Sequence, residues 1–430
     1  MLNRTVTGVV VVVLLISASI LAQEKGGQGI ESRTFVERRE TLMAELKEGV
    51  AVLYSQGRQT ETGPVSEYRA DGNFWYLTGV DDAGAILVLS PQETDRQVLL
   101  LPSRDIEQER WTGRRPPLTE SLERDLGFDR ILRTGALNGI ITSRMKHTST
   151  LHLISSPVGP SADIPPDLEL YQKITARVPG ATIKNSSRFL EGMRTIKSAE
   201  EIAAIERAIE ITYAGITDLL AEVRPGVTEY QLDGVLENSF KRQGAQHMAF
   251  DPIVGAGEEA TVLHYGKRNR SLEAGQLLLL DVGAEWDHYA ADITRTVPVD
   301  GRFTREQALI YDIVLDAEKT VIEAIKPGVT IEELQDIARD VIREAGYIDA
   351  LLHGTSHHIG LDVHDVGDNS LPLEPGMVIT VEPGIYLPED KMGVRIEDDV
   401  LVTETGHRVL SAEIPRERKD VEAWMTRARR

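Results

Sequence analysis

The sequence contains one five-residue pattern twice, as Arg-Pro-Gly-Val-Thr at 224–228 and as Lys-Pro-Gly-Val-Thr at 326–330. At the same offset of 102 residues, Gly244 corresponds to Gly346. Each copy follows a helical stretch and precedes another, and its final Thr is suited to capping the next helix. This repetition predicts a domain of two similar α/β halves over about residues 195–416. The alternative is coincidence, because a short capping pattern suits any helix–turn–helix connection.

A first predicted hairpin in this region carries two carboxylates. Its strands are an apolar run at 277–283 and a second run at 290–296. Asp281 and Asp292 lie at equal distances from a turn centred at 286–287. We therefore expect them to be cross-strand neighbours whose side chains converge.

A second predicted hairpin has the same arrangement. Its strands are at 377–384 and 392–397, with a turn near 389–390. Glu382 and Glu397 are again symmetric about the turn. Two buried carboxylates at close range repel each other unless they share a proton or bind a cation.

Histidines are concentrated between the two hairpins. Residues 353–364 hold four of the ten histidines of the chain, which are His353, His357, His358 and His364. His264 is a further candidate. The sequence has no cysteine, which excludes disulfides, zinc–thiolate and iron–sulfur centres, and Cys nucleophiles. Any metal must therefore be held by imidazole, carboxylate or backbone oxygen.

Four carboxylates with at least one imidazole suit a pair of hard divalent ions that share bridging carboxylates. Manganese is the first expectation, and cobalt, iron or zinc would also fit these ligands. Such a pair would supply a bridging hydroxide as nucleophile and a Lewis acid for a carbonyl oxygen. The alternative for any one of these carboxylates alone is an ordinary structural ion pair.

The N-terminal half has the pattern of an α/β domain. Apolar runs at 50–53, 85–89 and 98–101 predict buried strands, and the charged segment 36–46 predicts a helix. We expect this domain to extend over residues 33–188.

The motifs of the C-terminal half resemble the pita-bread metallopeptidases, which include methionine aminopeptidase, prolidase, Xaa-Pro aminopeptidase and the metal-free creatinase. The resembling segments are LLLLDVGAE, YAADITRTVPVDGRFT, HGTSHHIGLDVHD, TVEPGIY and VRIEDD. The resemblance implies an α/β protein whose N-terminal domain is followed by a duplicated pita-bread (creatinase/aminopeptidase-like) α+β catalytic domain. The implied metal ligands are Asp281, Asp292, His357, Glu382 and Glu397. Creatinase-like members lack the full set, so its retention favours a metallopeptidase.

The same resemblance implies roles for other polar residues. His264 would contact the substrate backbone, and His353 would shape the substrate pocket. His364 would hydrogen-bond the scissile carbonyl and support the tetrahedral intermediate. Glu382 would act as general base or proton shuttle. Arg395 would anchor the substrate-binding site by pairing with a carboxylate.

Two other histidines are expected to have no part in the chemistry. His358 is assigned a structural role, because its neighbour His357 already fills the ligand position. His288 lies in the predicted turn of the first hairpin, and we expect it to be solvated.

The N-terminal half also distinguishes between subfamilies. Segments 68–80 and 101–115 resemble the amino-terminal domain of Xaa-Pro aminopeptidases and the larger prolidases, which methionine aminopeptidases lack. The resemblance implies a homo-oligomer, a dimer or tetramer, in which Trp111 matches a substrate-site aromatic that reaches a neighbouring subunit. The alternative for Trp111 and Trp75 is core packing.

The first 22 residues have the layout of a secretory signal peptide. Arg4 precedes an unbroken apolar run at 9–16, and small residues follow before the polar segment that starts at Gln23. We expect cleavage after Ala22, export to the periplasm or outside the cell, and no stable membrane insertion afterwards. The run is short for a membrane-spanning helix, and an uncleaved N-terminal anchor is the alternative.

Charge balance bears on the partners of the protein. Lys and Arg total 47 against 68 Asp and Glu, a formal net charge of −21. This acidity argues against a nucleic-acid-binding surface. The expected activity is release of the N-terminal residue from peptides with proline in the second position. The alternatives are a prolidase, which cleaves Xaa-Pro dipeptides only, and a non-catalytic pita-bread module that binds peptides.

Overall fold

The computed structural model of the chain describes residues 29–59, 68–156 and 158–430. The predicted signal peptide, residues 1–22, lies outside the described residues. The chain divides into two compact units, Met1–Leu190 and Glu191–Arg430. Within the described part of the chain, no helix combines the length and the apolar character that crossing a membrane requires.

The N-terminal unit is built around one mixed sheet. Its described helices are α1 (Ser32–Leu46), α2 (Gly72–Thr78), α3 (Ile106–Thr112), α4 (Glu120–Leu126), α5 (Leu137–Arg144) and α6 (Pro166–Thr175). Its described strands are β1 (Val50–Tyr54), β2 (Arg58–Gln59), β3 (Tyr68–Arg69), β4 (Ile86–Leu89), β5 (Gln97–Leu101), β6 (Arg130–Arg133), β7 (Thr150–Leu153) and β8 (Thr182–Asn185). The sheet order is β6-β5-β4-β1-β7-β8. Helix α7 (Ser187–Thr195) contains the boundary between the two units.

The three apolar runs predicted as strands form β1, β4 and β5, which confirms those predictions. Val52 of β1 lies opposite Val88 of β4, and both belong to an apolar cluster with Leu100. Tyr171 of α6 is also buried there. Its hydroxyl accepts the N–H of Val52 (2.6 Å) and donates to the carbonyl of His152 (3.0 Å). This tyrosine therefore links the helix layer to the sheet.

The C-terminal unit combines helices with several small sheets. Its described helices are α8 (Ala199–Glu222), α9 (Glu229–Arg242), α10 (Arg305–Ala324), α11 (Ile331–Glu344) and α12 (Arg418–Ala428). Its described strands are β9 (His247–Met248), β10 (Ile253–Ala256), β11 (Leu277–Val282), β12 (Ala284–Trp286), β13 (Tyr289–Ala290), β14 (Ile293–Pro298), β15 (Val378–Val381), β16 (Gly384–Leu387), β17 (Met392–Arg395), β18 (Asp398–Val402) and β19 (His407–Val409). The sheets are β10-β11-β14, β13-β12-β9, β15-β18-β19 and the pair β16-β17.

The two halves of this unit repeat one local arrangement. The Pro-Gly-Val-Thr turns connect α8 to α9 and α10 to α11, and their final Thr side chains form a capping box with the following helix. Gly226 donates its N–H to the carbonyl of Leu272 (2.8 Å), and Gly328 does the same to Leu373 (2.9 Å). Both glycines have φ above 90°, where residues with a Cβ are strained. The two halves therefore share this local arrangement, in agreement with the predicted duplication.

Apolar helix faces cover the strands of the second half. Val321 of α10 and Leu334 of α11 pack against Ile379 of β15 and Val400 of β18. All four side chains are fully buried, and each such burial contributes about 1.5–3 kcal/mol relative to exposure. This packing fixes β15 and β18, the strands that flank Glu382 and Glu397.

Candidate metal centre and active site

Three of the predicted carboxylates lie where the hairpin strands are interrupted. Asp292 immediately precedes β14, Glu382 lies between β15 and β16, and Glu397 lies between β17 and β18. The N–H of Glu382 donates to the carbonyl of Thr355 (2.9 Å), and the N–H of Glu397 donates to that of Thr294 (3.1 Å). These backbone groups bond outside their own hairpin, which brings separate chain segments together at the carboxylates.

The register of the first hairpin differs from the prediction. Asp281 lies opposite Thr294, whereas Asp292 lies two residues from that position. The turn is formed by Asp287 and His288, both with positive φ (50° and 66°), so the predicted centre was one residue too early. The position of the turn depends on which residues tolerate a left-handed backbone conformation. It does not depend on the symmetric spacing of the two carboxylates. Because a two-residue shift keeps the side chains on one face, the aspartates still converge.

The register of the second hairpin agrees with the prediction. Gly384 lies opposite Arg395, and Val381 lies opposite Asp398, which places Glu382 and Glu397 across from each other. Sequence analysis did not foresee that each predicted strand divides into two at these residues. Pro383 follows Glu382 and has no N–H to donate to a ladder, which accounts for the break on that side.

The predicted ligands come together around His357. One ligand atom each from Asp292, His357 and Glu397 lies within 4.8 Å of the others. His357 Nε2 is 3.5 Å from Asp292 Oδ2 and 3.6 Å from Glu382 Oε1. These four residues and Asp281 line one cavity of about 560 Å³.

Burial and mutual repulsion make this cluster unfavourable without a cation. Burial, with repulsion from Glu397, raises the pKa of Asp292 well above its usual range. Burial, with the nearby charge of Asp281, raises the pKa of Glu397 to about 8. Burial lowers the pKa of His357 to about 4, so its imidazole is neutral, as metal coordination requires.

Unpartnered oxygen atoms provide the test of whether a metal fits. Within the described residues, Asp281 Oδ1, Asp292 Oδ1 and Glu397 Oε1 are buried without a hydrogen-bond partner. Buried acceptors are ordinarily satisfied. Oxygen acceptors beside one neutral imidazole match the donor set that divalent metal ions take. The residues present therefore fit a divalent metal.

Arg395 and Tyr386 lie directly beside the carboxylates. Arg395 is 3% exposed, and it donates to Asp281 Oδ2 (2.5 Å), the Tyr386 hydroxyl (2.7 Å) and Thr294 Oγ1 (3.2 Å). His353 Nε2 lies 2.7 Å from the same tyrosine hydroxyl. Sequence analysis missed Tyr386, although a tyrosine in a buried strand of the TVEPGIY motif needs a polar partner.

A second set of residues hydrogen-bonds the side chains and the backbone of the predicted ligands, and sequence analysis missed it as well. Thr294 Oγ1 donates to Glu397 Oε2 (2.7 Å), and Arg295 donates to the carbonyl of Glu397 (2.6 Å). The N–H of Asp292 donates to Asp399 Oδ2 (3.2 Å). Such partners fix the orientation of metal ligands. The only sequence signal was the polarity of Thr294, Arg295 and Asp399 within otherwise apolar strands.

The predicted substrate-contacting histidines lie around the same cavity. His264, His353 and His364 line it together with Arg395. The ring centroids of His364 and His357 are 4.4 Å apart. Burial lowers the pKa of His353 to about 4. The cavity thus brings together every predicted site residue of the C-terminal unit.

The two histidines predicted to lie outside the chemistry are both buried. His358 forms a backbone bridge with Ile379 and is 4% exposed, in agreement with a structural role. The expectation that His288 is solvated is wrong, since it is also 4% exposed. Its turn partner Asp287 is 1% exposed, so the whole turn is interior although its residues are polar.

Trp111 and Trp75 lie in the N-terminal unit and differ sharply in exposure. Trp111, in α3, has 77% of its surface exposed, which excludes core packing for this residue. Trp75, in α2, is 2% exposed and packs edge-on against Phe35. Core packing is therefore right for Trp75 alone.

Buried ion pairs hold the loop that carries the histidine motif. The Asp365 side chain, 1% exposed, lies 2.5 Å from Arg194 Nη2 and 3.2 Å from Lys197 Nζ. Its N–H donates to the carbonyl of His358 (2.9 Å). Burial alone would raise the pKa of Asp365, but the two cations bring it below its usual value.

The paired carboxylates and the neutral imidazole define a candidate centre for divalent metal. The sequence pattern of metallopeptidase family M24 matches residues 203–404, and that of the aminopeptidase P N-terminal domain matches residues 35–153. The Xaa-Pro aminopeptidase of Escherichia coli is 35% identical over 93% of this chain and 99% of its own length. The Xaa-Pro dipeptidase of Pyrococcus furiosus is 41% identical, over 52% of this chain and 64% of its own length.

A solved structure gives the same result. Zinc-substituted Escherichia coli aminopeptidase P in complex with product has a TM-score of 0.84 and 34% identity, and the match covers 94% of this chain and 100% of that one. The chain therefore belongs to the aminopeptidase P group of metallopeptidase family M24. It is a hydrolase, a metal-dependent aminopeptidase that binds divalent metal. The predicted family, fold class and general activity are confirmed.

Proposed function

We propose that this aminopeptidase releases the N-terminal residue from peptides that have proline in the second position. The observation that carries the proposal is the convergence of the metal-binding cluster with His264, His353 and His364 in one cavity. The similarity to a Xaa-Pro aminopeptidase over 93% of the chain supports it. Apolar side chains also line the cavity and suit a proline ring; they are Phe250, Ile253, Leu263 and Val363.

The site would hold two divalent ions, with Mn²⁺ as the first candidate and Co²⁺, Fe²⁺ or Zn²⁺ as alternatives. The residues that would hold them are Asp281, Asp292, His357, Glu382 and Glu397. The oxygen and imidazole donors and the unpartnered carboxylate oxygens support this assignment. Ions bound here would activate water as the nucleophile and polarise the scissile carbonyl.

The chain's own residues would orient the substrate and move the proton. Glu382 would take a proton from the attacking water and deliver it to the leaving proline nitrogen. Its side chain, 17% exposed, is open to the cavity. His364 would donate a hydrogen bond to the scissile carbonyl oxygen as charge develops there. His264 would contact the substrate backbone, and His353 would shape the pocket. Arg395 would hold Asp281 in place.

Prolidase activity is the second candidate, because the catalytic half is similar to a dipeptidase. Hydrolysis of an Xaa-Pro dipeptide should be compared with that of Xaa-Pro-Yaa and Xaa-Ala-Yaa tripeptides by the same metal-loaded preparation. The proposal expects rapid cleavage of the Xaa-Pro tripeptide and little of the Ala control. Activity confined to the dipeptide would replace aminopeptidase with prolidase.

A peptide-binding module without catalysis is the third candidate. The presence of all five ligand residues argues against it. Elemental analysis of the purified protein, with and without added manganese, cobalt or zinc, distinguishes a metal-dependent peptidase from a non-catalytic binding module. A protein that neither holds nor responds to divalent ions would favour the binding module.

We also propose that the protein is exported and that its signal is removed after Ala22. The charged residue Arg4, the apolar run at 9–16 and the small residues that follow support this. N-terminal sequencing of the exported protein should begin at Gln23. A sequence that begins at Met1 would favour the uncleaved anchor.

We further propose a homo-oligomer, a dimer or tetramer, in which Trp111 reaches the substrate site of a neighbouring subunit. The 77% exposure of this tryptophan supports a contact with another molecule. Light scattering on the wild-type protein and the Trp111→Ala variant tests it. A monomeric wild type would overturn the proposal.

A further inference from the structure

The carboxylate of Glu229 is fully buried and has had no role in the chemistry so far. Glu229 is the first residue of α9. Its Oε1 accepts the N–H of Ala256 (3.0 Å), and its Oε2 accepts the N–H of Arg270 (3.0 Å) and the hydroxyl of Tyr265 (2.9 Å). Among the described residues it forms no ion pair with a Lys or Arg side chain. Its negative charge is therefore stabilised by N–H and O–H donors and by the dipole at the N-terminus of α9.

These donors lie on both sides of His264. Tyr265 follows it directly, is 3% exposed and packs in an apolar cluster with Ile253 and Leu279. His264 itself is exposed and lines the catalytic cavity. In the described part of the chain its ring makes no hydrogen bond. Its position consequently depends on the backbone that Tyr265 and Glu229 anchor.

The internal repeat provides a comparison within the same molecule. At the offset of 102 residues, Glu229 corresponds to Ile331, the first residue of α11. Ile331 is 4% exposed and belongs to an apolar cluster. In the second half the same turn and the same capping box form although an isoleucine occupies this position. A buried carboxylate is thus not a requirement of the repeated fold, and it coincides with the half that carries His264.

We propose that Glu229 is a positioning residue, which holds His264 at the catalytic cavity through Tyr265 and through the backbone at 256 and 270. The inference rests on the proposed function, in which His264 contacts the substrate. Glu229 does not touch the substrate and acts only through the segment that it binds. Loss of its second acceptor oxygen releases that segment and, with it, the imidazole.

A double-mutant cycle tests the coupling. Glu229→Gln places an amide N–H₂ against existing donors, and we expect kcat/KM for an Xaa-Pro-Yaa peptide to fall about tenfold or more, with metal content unchanged. In the His264→Ala background the same substitution should change kcat/KM by less than about twofold, because the ring that it positions is absent. Tyr265→Phe should behave in the same way, and it serves if Glu229→Gln fails to fold.

Two controls separate positioning from a general loss of stability. Ile342→Val removes a methyl from a fully buried core position of α11. We expect it to lower the melting temperature, and its effect on kcat/KM should be the same with His264 present and in the His264→Ala background. Equal losses from Glu229→Gln in both backgrounds would overturn the inference. So would an unchanged kcat/KM in the single variant.

A spectroscopic measurement does not depend on activity. In the metal-free protein, the ring resonance of His264, assigned by its loss in His264→Ala, should shift or broaden in Glu229→Gln. The ring of His407, whose Nδ1 lies 3.1 Å from the Ile325 carbonyl, should be unaffected. An unchanged His264 resonance would overturn the inference. A wild type that does not cleave Xaa-Pro peptides would overturn the proposed function and leave this result standing.

Discussion

At the scale of single residues, Glu382 is the carboxylate on which turnover should depend most. We expect Glu382→Gln to lower kcat by at least about 10²-fold, because the amide cannot carry a proton. The fold and much of the metal content should remain. Glu389→Gln, in the exposed turn of the same hairpin, is the matched control and should leave kcat unchanged. Near-normal turnover in Glu382→Gln would reject the assigned role.

The ion pairs of Asp365 should contribute strongly to stability. Asp365→Asn removes the carboxylate that pairs with both buried cations, so Lys197 loses this ion pair while Arg194 keeps its pair with Asp362. We expect the free energy of unfolding to fall by about 3–5 kcal/mol. Denaturant unfolding measures this change. Asp362→Asn is the control, since the Asp362 side chain is 46% exposed, and it should cost less. Equal, small losses in both variants would contradict this account.

The same carboxylate should make stability depend on pH in the acid range. The pKa of Asp365 is lower in the folded protein than its usual value, because Arg194 and Lys197 outweigh the effect of burial. Its contribution is therefore complete above the unfolded pKa of about 4 and is lost as the pH falls through the folded pKa. Unfolding of Asp365→Asn should vary less with pH over this range than unfolding of the wild type. Identical pH profiles would contradict the prediction.

The residues that form the candidate site were easier to predict from the sequence than the residues that support them. The four carboxylates could be found because charge in an apolar strand is costly and calls for a partner. His357 was assigned from the concentration of histidines at 353–364 together with the family resemblance. Tyr386 and Asp399 were visible in the sequence only as polar side chains in apolar strands. Their roles could not be predicted, because these depend on contacts with Arg395 and with the backbone of Asp292. These contacts join segments that are distant in the sequence.

At the scale of secondary-structure elements, the repeated caps should matter in both halves. Thr228→Ala and Thr330→Ala each remove a capping box, and we expect each to cost about 1 kcal/mol of unfolding free energy. Thr320→Ala, at a partly buried position within α10 and away from the caps, is the control. Chemical denaturation of the three variants checks this. Caps that cost no more than the control would contradict the assigned role.

The hairpins show how far spacing can predict an element. Both were correctly predicted as hairpins from apolar runs and a polar turn. The register was right for Glu382 and Glu397 and wrong by two residues for Asp281 and Asp292. Which pair of residues takes a left-handed turn depends on local backbone energies that differ little between neighbouring positions. The strand breaks at the carboxylates arise from bonds to other segments, which a hairpin considered alone does not contain.

At the scale of the whole molecule, divalent metal should stabilise the fold. Buried carboxylates that repel each other lose that repulsion when a cation binds. At a metal concentration about 100 times the dissociation constant, we expect a gain of about 2.7 kcal/mol for one site. Melting temperatures of chelator-treated protein with and without Mn²⁺ measure it. An Asp292→Asn variant should gain less, and equal melting temperatures for wild type in both conditions would contradict a metal-binding core.

The measurement that tests the central claim most directly is cleavage of an Xaa-Pro-Yaa tripeptide by chelator-treated protein before and after Mn²⁺ is restored. Product analysis should detect the free N-terminal residue and Pro-Yaa only after metal is added. The Glu382→Gln variant, loaded in the same way, should release neither product above background. Equal cleavage without metal, or none with Mn²⁺, Co²⁺ or Zn²⁺, would contradict the account.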